Sequence, residues 1–136
     1  MTVGVVIVTH TGLAAEFVRA VELIVPDAPK FHGVAIDPSQ SVDAMRAAIE
    51  EALTTAGNGA GVLVLTDMFG GTPSNISLSF LENRDVEVVT GVNLPMLIKL
   101  ATLSEEKPLA ELATMIKEYG RRNISVAREL LPEDDA

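Results

Sequence analysis

The stretch that decides the fold is TVGVVIVTH at residues 2–10, a run of mainly β-branched residues that ends at the polar pair Thr9-His10. Such continuous apolarity is typical of a strand buried on both faces of a parallel sheet. A second run, GVLVLT at residues 61–66, ends at Asp67. The two runs therefore predict two buried strands, each followed by a chemically reactive side chain.

Segments with helical spacing alternate with these strands. Further strands are predicted at residues 31–36 and 86–90. Ser41 is the expected N-cap of the second helix and Gly57 its stop, whereas Thr72 is the expected N-cap of the third, with Pro73 in its first turn. The predicted helices lie at about residues 13–24, 42–56, 72–81, 94–103 and 108–120, with Gly120 closing the last.

This alternation, with short connections, predicts an α/β fold with a parallel sheet, helices on both faces and right-handed crossovers. The common open strand order for four such units is 2-1-3-4. In this order the chain adds strands on one side of strand 1 and then on the other, so a switch point lies between strands 1 and 3. Ligands bind at the carboxyl ends of the strands at that switch point. Since His10 and Asp67 follow these two strands, we expect them to meet there.

The carboxyl-terminal residues are harder to interpret. Residues 123–127 alternate like an antiparallel edge strand with one apolar face, although they could also continue the last helix. We favour the strand. Residues 132–136 are expected to form an acidic tail outside a single domain at residues 1–131.

Composition narrows the class of protein. The chain has 136 residues, 48% of them hydrophobic and 21% charged, which fits one globular domain. No apolar run approaches the ~20 residues of a membrane span, and residues 2–8 lack the basic segment and cleavage site of a signal peptide. The absence of cysteine excludes disulfide scaffolds and thiol catalysis. It fits the reducing cytoplasm, where we expect the protein to act.

The net charge is −9, from 10 Lys and Arg against 19 Asp and Glu. This balance argues against binding to nucleic acid or directly to an anionic membrane, because both require basic patches. The acidity either favours encounter with a basic partner or simply keeps the protein soluble.

Several kinds of chemistry are open to a histidine beside an aspartate. A metal site is not expected, since His32 is the only other histidine and has no ligand spacing to His10. The G-x-S-x-G elbow of hydrolases and the phosphate-binding loops of nucleotide enzymes are absent. We therefore expect neither a metal nor a cofactor.

Phosphoryl transfer through His10 fits better. One ring nitrogen can attack phosphorus while Asp67 fixes the other as an N–H donor and stabilises the charge that develops on the ring. Two predicted helix N-termini converge on the site and favour anions. The residues expected to bind the phosphoryl oxygens are Thr11, Gly12, Gly70, Gly71, Thr72 and Ser74.

The chain resembles the IIA domain of the mannose-type (mannose/fructose/sorbose) family of the bacterial phosphoenolpyruvate-dependent sugar phosphotransferase system. The resemblance covers nearly the whole chain to about Leu131, and the middle motif is the most specific. The matching stretches are VTHTG at residues 8–12, TDMFGGTPSN at residues 66–75 and GVNLPML at residues 91–97.

The resemblance implies a flavodoxin-like sheet and a phosphocarrier. It implies that His10 accepts a phosphoryl group on Nε2 from phospho-histidine HPr and passes it to a IIB domain, with Asp67 facing Nδ1. It also implies a homodimer in which a carboxyl-terminal edge strand is swapped, and contact with the membrane only through transporter subunits. The chain has no room for IIB, so we expect a separate IIB protein or, without one, a regulatory phosphorylation switch.

The sequence departs from the family beside the histidine. A glycine is common directly before or after the threonine-histidine pair, but here the flanking residues are Val8 and Thr11. The Thr11 hydroxyl could bind the phosphoryl group or crowd it.

The site loops carry residues whose roles stay open. Met68 and Phe69 could be core plugs or part of a docking surface for partners, a role also considered for Asn93 and Pro95. Asn93 could instead cap the fourth helix.

Three other functions compete with the phosphocarrier. A response-regulator receiver would be phosphorylated on Asp67, but it needs an acidic pair after strand 1, where this chain has Thr9-His10. The phosphocarrier subunit of dihydroxyacetone kinase has a similar fold and an amino-terminal histidine, yet the GGTPSN loop favours the mannose type. A pure binding module would bind phosphate or a partner without transfer.

Overall fold

The computed structural model describes residues 2–83 and 85–132. It contains a four-stranded parallel sheet in the order β2-β1-β3-β4, as predicted. The strands are β1 (Gly4–His10), β2 (His32–Ile36), β3 (Val62–Thr66) and β4 (Val86–Thr90). The α-helices are α1 (Leu13–Ile24), α2 (Val42–Ala56), α3 (Thr72–Leu78), α4 (Leu94–Thr102) and α5 (Leu109–Arg122), and 3₁₀ turns follow at Ser79–Glu82 and Ala127–Leu130.

The two central strands carry the functional residues to one end of the sheet. In the register, Val8 of β1 lies opposite Thr66 of β3, and His10 lies opposite Ile36 of β2. Asp67 directly follows Thr66, so the parallel register brings it beside His10. The predicted meeting at the switch point is therefore a consequence of strand order.

Both faces of the sheet are covered by apolar side chains. Val5 and Ile7 of β1 join a core with helices α1, α4 and α5, whereas Val6 and Val8 join a second core with α2 and α3. Because successive side chains of a strand point to opposite faces, this alternation directs Thr9 toward the α1 face. It directs His10 toward α3.

The helix boundaries confirm some sequence signals and correct others. Ser41 caps α2, since its Oγ accepts a hydrogen bond from the Ala44 amide at 3.1 Å, and Gly57 ends that helix. The N-cap of α3 is Gly71 and not Thr72, and α3 gives way to a 3₁₀ turn after Leu78. Gly120 does not close α5, because it packs within the helix against Met96.

The carboxyl-terminal segment forms no strand within its own chain. Residues 124–126 pair with no strand in the described part of the chain, and Ile124 and Val126 are exposed. Helix α5 ends at Arg122, so it does not continue through this segment. A swapped strand would need a second chain and stays a prediction. The predicted acidic tail lies outside the described residues, except for residue 132.

Across residues 2–83 and 85–132, none of the helices combines the length and apolar character needed to cross a membrane.

Candidate functional site

His10 and Asp67 are joined by two hydrogen bonds to one carboxylate oxygen. Asp67 Oδ2 lies 2.8 Å from His10 Nδ1 and accepts the His10 backbone N–H at 3.0 Å. The first bond fixes the ring and the second fixes the backbone that carries it. Since an aspartate oxygen accepts, Nδ1 is the protonated nitrogen and the lone pair of the neutral ring lies on Nε2.

The two side chains differ in exposure. The His10 side chain is 45% exposed, so a large partner can reach it, whereas the Asp67 side chain is only 14% exposed. The second oxygen, Oδ1, is buried and has no hydrogen-bond partner among the described residues. The pair therefore presents the imidazole to solvent and keeps the carboxylate behind it.

The environment of Asp67 favours its charged form. Burial acts to raise the pKa of this carboxyl, but the hydrogen bonds from the His10 amide and ring outweigh it. The pKa of Asp67 is therefore lowered from its ordinary value of 3.8. At neutral pH the residue is an anion that holds the imidazole N–H.

Gly71 borders the opposite side of the imidazole. A Cβ atom at position 71 would lie 2.6 Å from His10 Cε1 and 3.0 Å from Nε2, closer than ordinary van der Waals contact. Glycine at this position therefore leaves the space that the ring occupies. The preceding Gly70 has φ +93° with nothing within 4 Å of its missing Cβ, so its role is the turn itself.

The chain makes a strained turn directly after His10. Thr11 has φ +50°, an unusual backbone conformation for a β-branched residue, and its amide donates to the Ile36 carbonyl at 3.0 Å. Gly12 then serves as the N-cap of α1 without a capping side chain. The turn leaves Thr11 exposed directly after the histidine, and its role toward a phosphoryl group stays a prediction.

The two predicted hydroxyl ligands of the third loop lie in different environments. Thr72 is the first residue of α3 and is exposed. Ser74 is completely buried, and its Oγ has no hydrogen-bond partner in the described part of the chain. Such burial does not favour the predicted contact between Ser74 and a phosphoryl group.

Exposed apolar side chains lie on the loops that flank the histidine. Met68 is 53% exposed and Phe69 is 71% exposed, so neither is a core plug. Leu13, the first residue of α1, is 49% exposed although it stands at helical spacing with the apolar residues of this helix. Only its place in the first turn after His10 could have indicated this.

The other two predicted docking residues belong to the start of α4. Asn93 caps the helix by accepting the Met96 amide at 3.1 Å, and its Nδ2 donates to the Gly120 carbonyl at 3.1 Å. Its polar atoms thus join α4 to α5, which supports the capping interpretation. Pro95 is half-buried in the first turn of α4.

The short connections that follow the four strands carry carboxylates and no basic side chain. Residues 11–12, 37–41, 67–71 and 91–93 include Asp37 and Asp67 and no Lys or Arg. Basic residues follow in the adjoining helices at Arg19, Arg46 and Lys99, and Arg19 forms an ion pair with Glu16 at 3.0 Å. In the part of the chain that the structure describes, no group of three or more His, Asp or Glu side chains is arranged to hold a metal ion.

Comparisons with known proteins agree with this geometry. A family model described as the PTS system fructose IIA component matches residues 4–117. The sorbose-specific EIIA component of Lacticaseibacillus casei is 32% identical over 111 residues, which are 81% of this chain and 80% of that protein. The mannose-specific EIIAB component of Escherichia coli K12 is 25% identical over 94% of this chain, which spans 40% of that longer protein.

Solved structures show the same architecture. The mannose/sorbose specific IIA subunit from Enterococcus faecalis superposes with a TM-score of 0.86 at 28% identity, covering 98% of both chains. An EIIA component from Streptococcus agalactiae has a TM-score of 0.83 at 23% identity over 94% of this chain and 99% of that one, a likeness of fold alone. With the family match over residues 4–117, these similarities show that the chain belongs to the mannose-type IIA family of the sugar phosphotransferase system.

Proposed function

We propose that this protein accepts a phosphoryl group from phospho-HPr on Nε2 of His10 and passes it to a IIB component. The observation that carries the proposal is the 2.8 Å bond between Nδ1 and Asp67 Oδ2, which leaves Nε2 as the nucleophilic nitrogen of a half-exposed ring. Membership of the IIA family supports a phosphocarrier role in sugar uptake. We also propose that the protein acts in the cytoplasm. If no IIB partner exists, phosphorylation of His10 would serve as a regulatory switch instead.

The transfer needs only the chemistry of two histidines. The Nε2 lone pair of His10 attacks phosphorus as the donor's P–N bond breaks, and the bonding electrons return to the donor imidazole. The His10 ring becomes positively charged while it keeps its Nδ1 proton. Asp67 stabilises that charge through the existing hydrogen bond, so no proton has to move in the attack.

Backbone and hydroxyl donors are the groups available to hold the phosphoryl oxygens. The first turn of α1 begins soon after His10, and α3 begins next to Gly71. N–H groups at helix N-termini favour anions, and Thr11 and Thr72 add hydroxyls at least partly open to solvent. The connections that follow the strands contain no Lys or Arg, so the residues proposed to hold the phosphoryl group offer it no ion pair, which suits a carrier that must release it.

The surroundings of His10 favour a partner with an apolar centre and a basic rim. Leu13, Met68 and Phe69, in the segments that follow β1 and β3, supply exposed apolar area. The acidic side chains of the surrounding loops would attract basic residues of HPr or IIB and accelerate encounter. This arrangement gives the net charge of −9 a specific use beyond solubility.

The receiver alternative is not favoured by the contacts of Asp67. Its Oδ2 is engaged by both the amide and the ring of His10, and its Oδ1 is buried. An aspartate that accepts phosphate would need one of these oxygens free to attack. The geometry instead gives Asp67 a supporting role.

We expect His10→Ala to abolish phosphorylation by phospho-HPr, because the variant has no ring nitrogen at the position of Nε2. The matched control is His32→Ala, which removes the other histidine, on β2, and should be labelled at the wild-type rate. Radiolabelled phospho-HPr provides the assay, and the product should survive alkali but not acid. Full labelling of the His10 variant would refute the proposed phosphorylation site.

Asp67→Asn should slow phosphoryl acceptance by about 10²-fold, because the charge on the ring loses its anionic partner. The variant should also change the pH dependence of stability. A lowered native pKa stabilises the folded state at neutral pH, and this contribution is lost as pH falls below 3.8 through the native value.

We therefore expect the free energy of unfolding to decrease less between pH 7 and pH 2 in Asp67→Asn than in wild type. Chemical unfolding at several pH values measures this. Asp85→Asn, at an exposed turn before β4, is the control for a simple change of net charge. Identical acid profiles for wild type and Asp67→Asn would show that the bonds to His10 do not stabilise the carboxylate.

Gly71→Ala should slow phosphoryl transfer by about 10²-fold while the protein stays folded, because the added methyl would displace the His10 ring from its position. Rapid-quench labelling measures the rate, and circular dichroism measures the fold. A wild-type rate in this variant would mean that the ring has room to move without loss of function.

We also propose that the protein is a homodimer with a swapped carboxyl-terminal strand. The support is the exposed, alternating Ile124 and Val126, which nothing in the described chain covers. Ile124→Lys should then convert a dimer into a folded monomer of 14.4 kDa, whereas Leu23→Lys, at another exposed apolar position, should not. Light scattering at several concentrations decides this, and a monomeric wild type would exclude the dimer.

A further inference from the structure

The buried hydroxyl of Thr9 closes the short loop that carries His10. Thr9 is fully buried at the end of β1, and its Oγ1 accepts the Ala14 amide at 2.8 Å. The intervening residues 10–13 include the histidine, the strained Thr11 and the start of α1. The same Oγ1 donates to the Thr11 carbonyl at 3.5 Å, so the Thr9 hydroxyl links the end of the strand both to the strained turn and to the helix after it.

The bond to the Ala14 amide replaces an ordinary helix cap. The residue at the N-cap position of α1 is Gly12, which has no side chain to accept the first amides of the helix. Thr9 performs this function from three residues farther back, in the preceding strand. The cap of α1 and the closure of the histidine loop are therefore the same interaction.

The loop that this bond closes is under backbone strain. Thr11 is held at φ +50°, which a threonine adopts only when its surroundings enforce it. The Thr11 amide is bonded to the Ile36 carbonyl at 3.0 Å, and the His10 amide to Asp67 Oδ2 at 3.0 Å. With Thr9 on the third side, hydrogen bonds anchor the turn to β2, to Asp67 and to α1.

We infer that Thr9 is a positioning residue for phosphoryl transfer: its hydroxyl holds the strained turn that keeps the His10 ring between Asp67 and Gly71. The inference rests on the proposed role of His10. Thr9 lies on the α1 face of the sheet and His10 on the opposite face, so Thr9 acts through the backbone and does not touch the phosphoryl group. Without its hydroxyl, the Ala14 amide loses its partner and the turn can relax away from positive φ.

Thr9→Val tests the hydroxyl because valine keeps the branched shape but cannot accept a hydrogen bond. We expect it to lower the rate of phosphoryl acceptance from phospho-HPr by roughly tenfold to a hundredfold, as for other small misplacements of a reacting group. Thr9→Ser, which keeps the hydroxyl, should restore most of the rate. Ser41→Ala is the matched control, since it removes the equivalent capping bond of α2 and should react at the wild-type rate.

A second arm tests whether strain is the cause. Glycine adopts positive φ without strain, so Thr11→Gly should make the turn less dependent on the Thr9 hydroxyl. We expect the fall in rate caused by Thr9→Val to be several-fold smaller in the Thr11→Gly background than in the wild-type background. The same fall in both backgrounds would overturn the proposed mechanism.

The nitrogen resonances of His10, measured by NMR without any phosphoryl donor, separate this inference from the proposed function. In wild type they should show a protonated, hydrogen-bonded Nδ1, and Thr9→Val should weaken that signature while Thr9→Ser keeps it. If wild type is not phosphorylated, the proposed function fails but the NMR comparison still tests Thr9. An unchanged ring spectrum and rate in Thr9→Val would refute the positioning role.

Loss of stability is the competing explanation, and the controls address it. An equal fall in rate for Ser41→Ala and Thr9→Val would show that any lost cap has this effect and would overturn the inference. Should Thr9→Val fail to fold, the double variant with Thr11→Gly should recover the fold, because it removes the strain that the hydroxyl opposes. An unfolded double variant would equally overturn it.

Discussion

The hydrogen bond between Nδ1 of His10 and Oδ2 of Asp67 joins residues 57 positions apart, and the fold is what makes it possible. Parallel pairing of β1 with β3 sets the ends of these strands side by side. The bond selects the ring tautomer and directs Nε2 toward Gly71, whereas the His10 backbone N–H and this bond together outweigh burial and lower the pKa of Asp67. The identity of the unprotonated ring nitrogen follows from this contact, the space beside that nitrogen follows from Gly71, and the charge behind it is held by both N–H groups of His10.

That contact also bears on the charge of the site. The connections that follow the strands hold no Lys or Arg, so in the proposed transfer the cation formed at the reacting nitrogen is the imidazole ring itself. In that proposal the ring charge is lost when the phosphoryl group leaves, unlike the charge of a permanent cation. Asp67 would balance the temporary charge, which would keep both directions of transfer accessible.

The parts of the structure that follow from strand pattern could be predicted from the sequence. Continuous apolar runs identified β1 and β3, and the common strand order placed His10 beside Asp67. Ser41 could also be predicted as the cap of α2, because a serine directly before a helical segment commonly accepts a hydrogen bond from one of its first amides. These features depend on periodicity and on interactions within a few residues, which a single sequence contains.

The remaining features depend on packing between elements, which a single sequence does not encode in any local pattern. Serine is a residue type that can bind phosphate, but Ser74 lies on the buried side of α3. Leu13 has the spacing of a buried helix residue, but it is exposed at the start of α1. Thr9 gives the sharpest case. In the sequence it is the polar end of a strand, and only the fold shows that its hydroxyl caps α1 behind the histidine. The most reactive residue of the chain is thus held in place by a neighbour that points away from it.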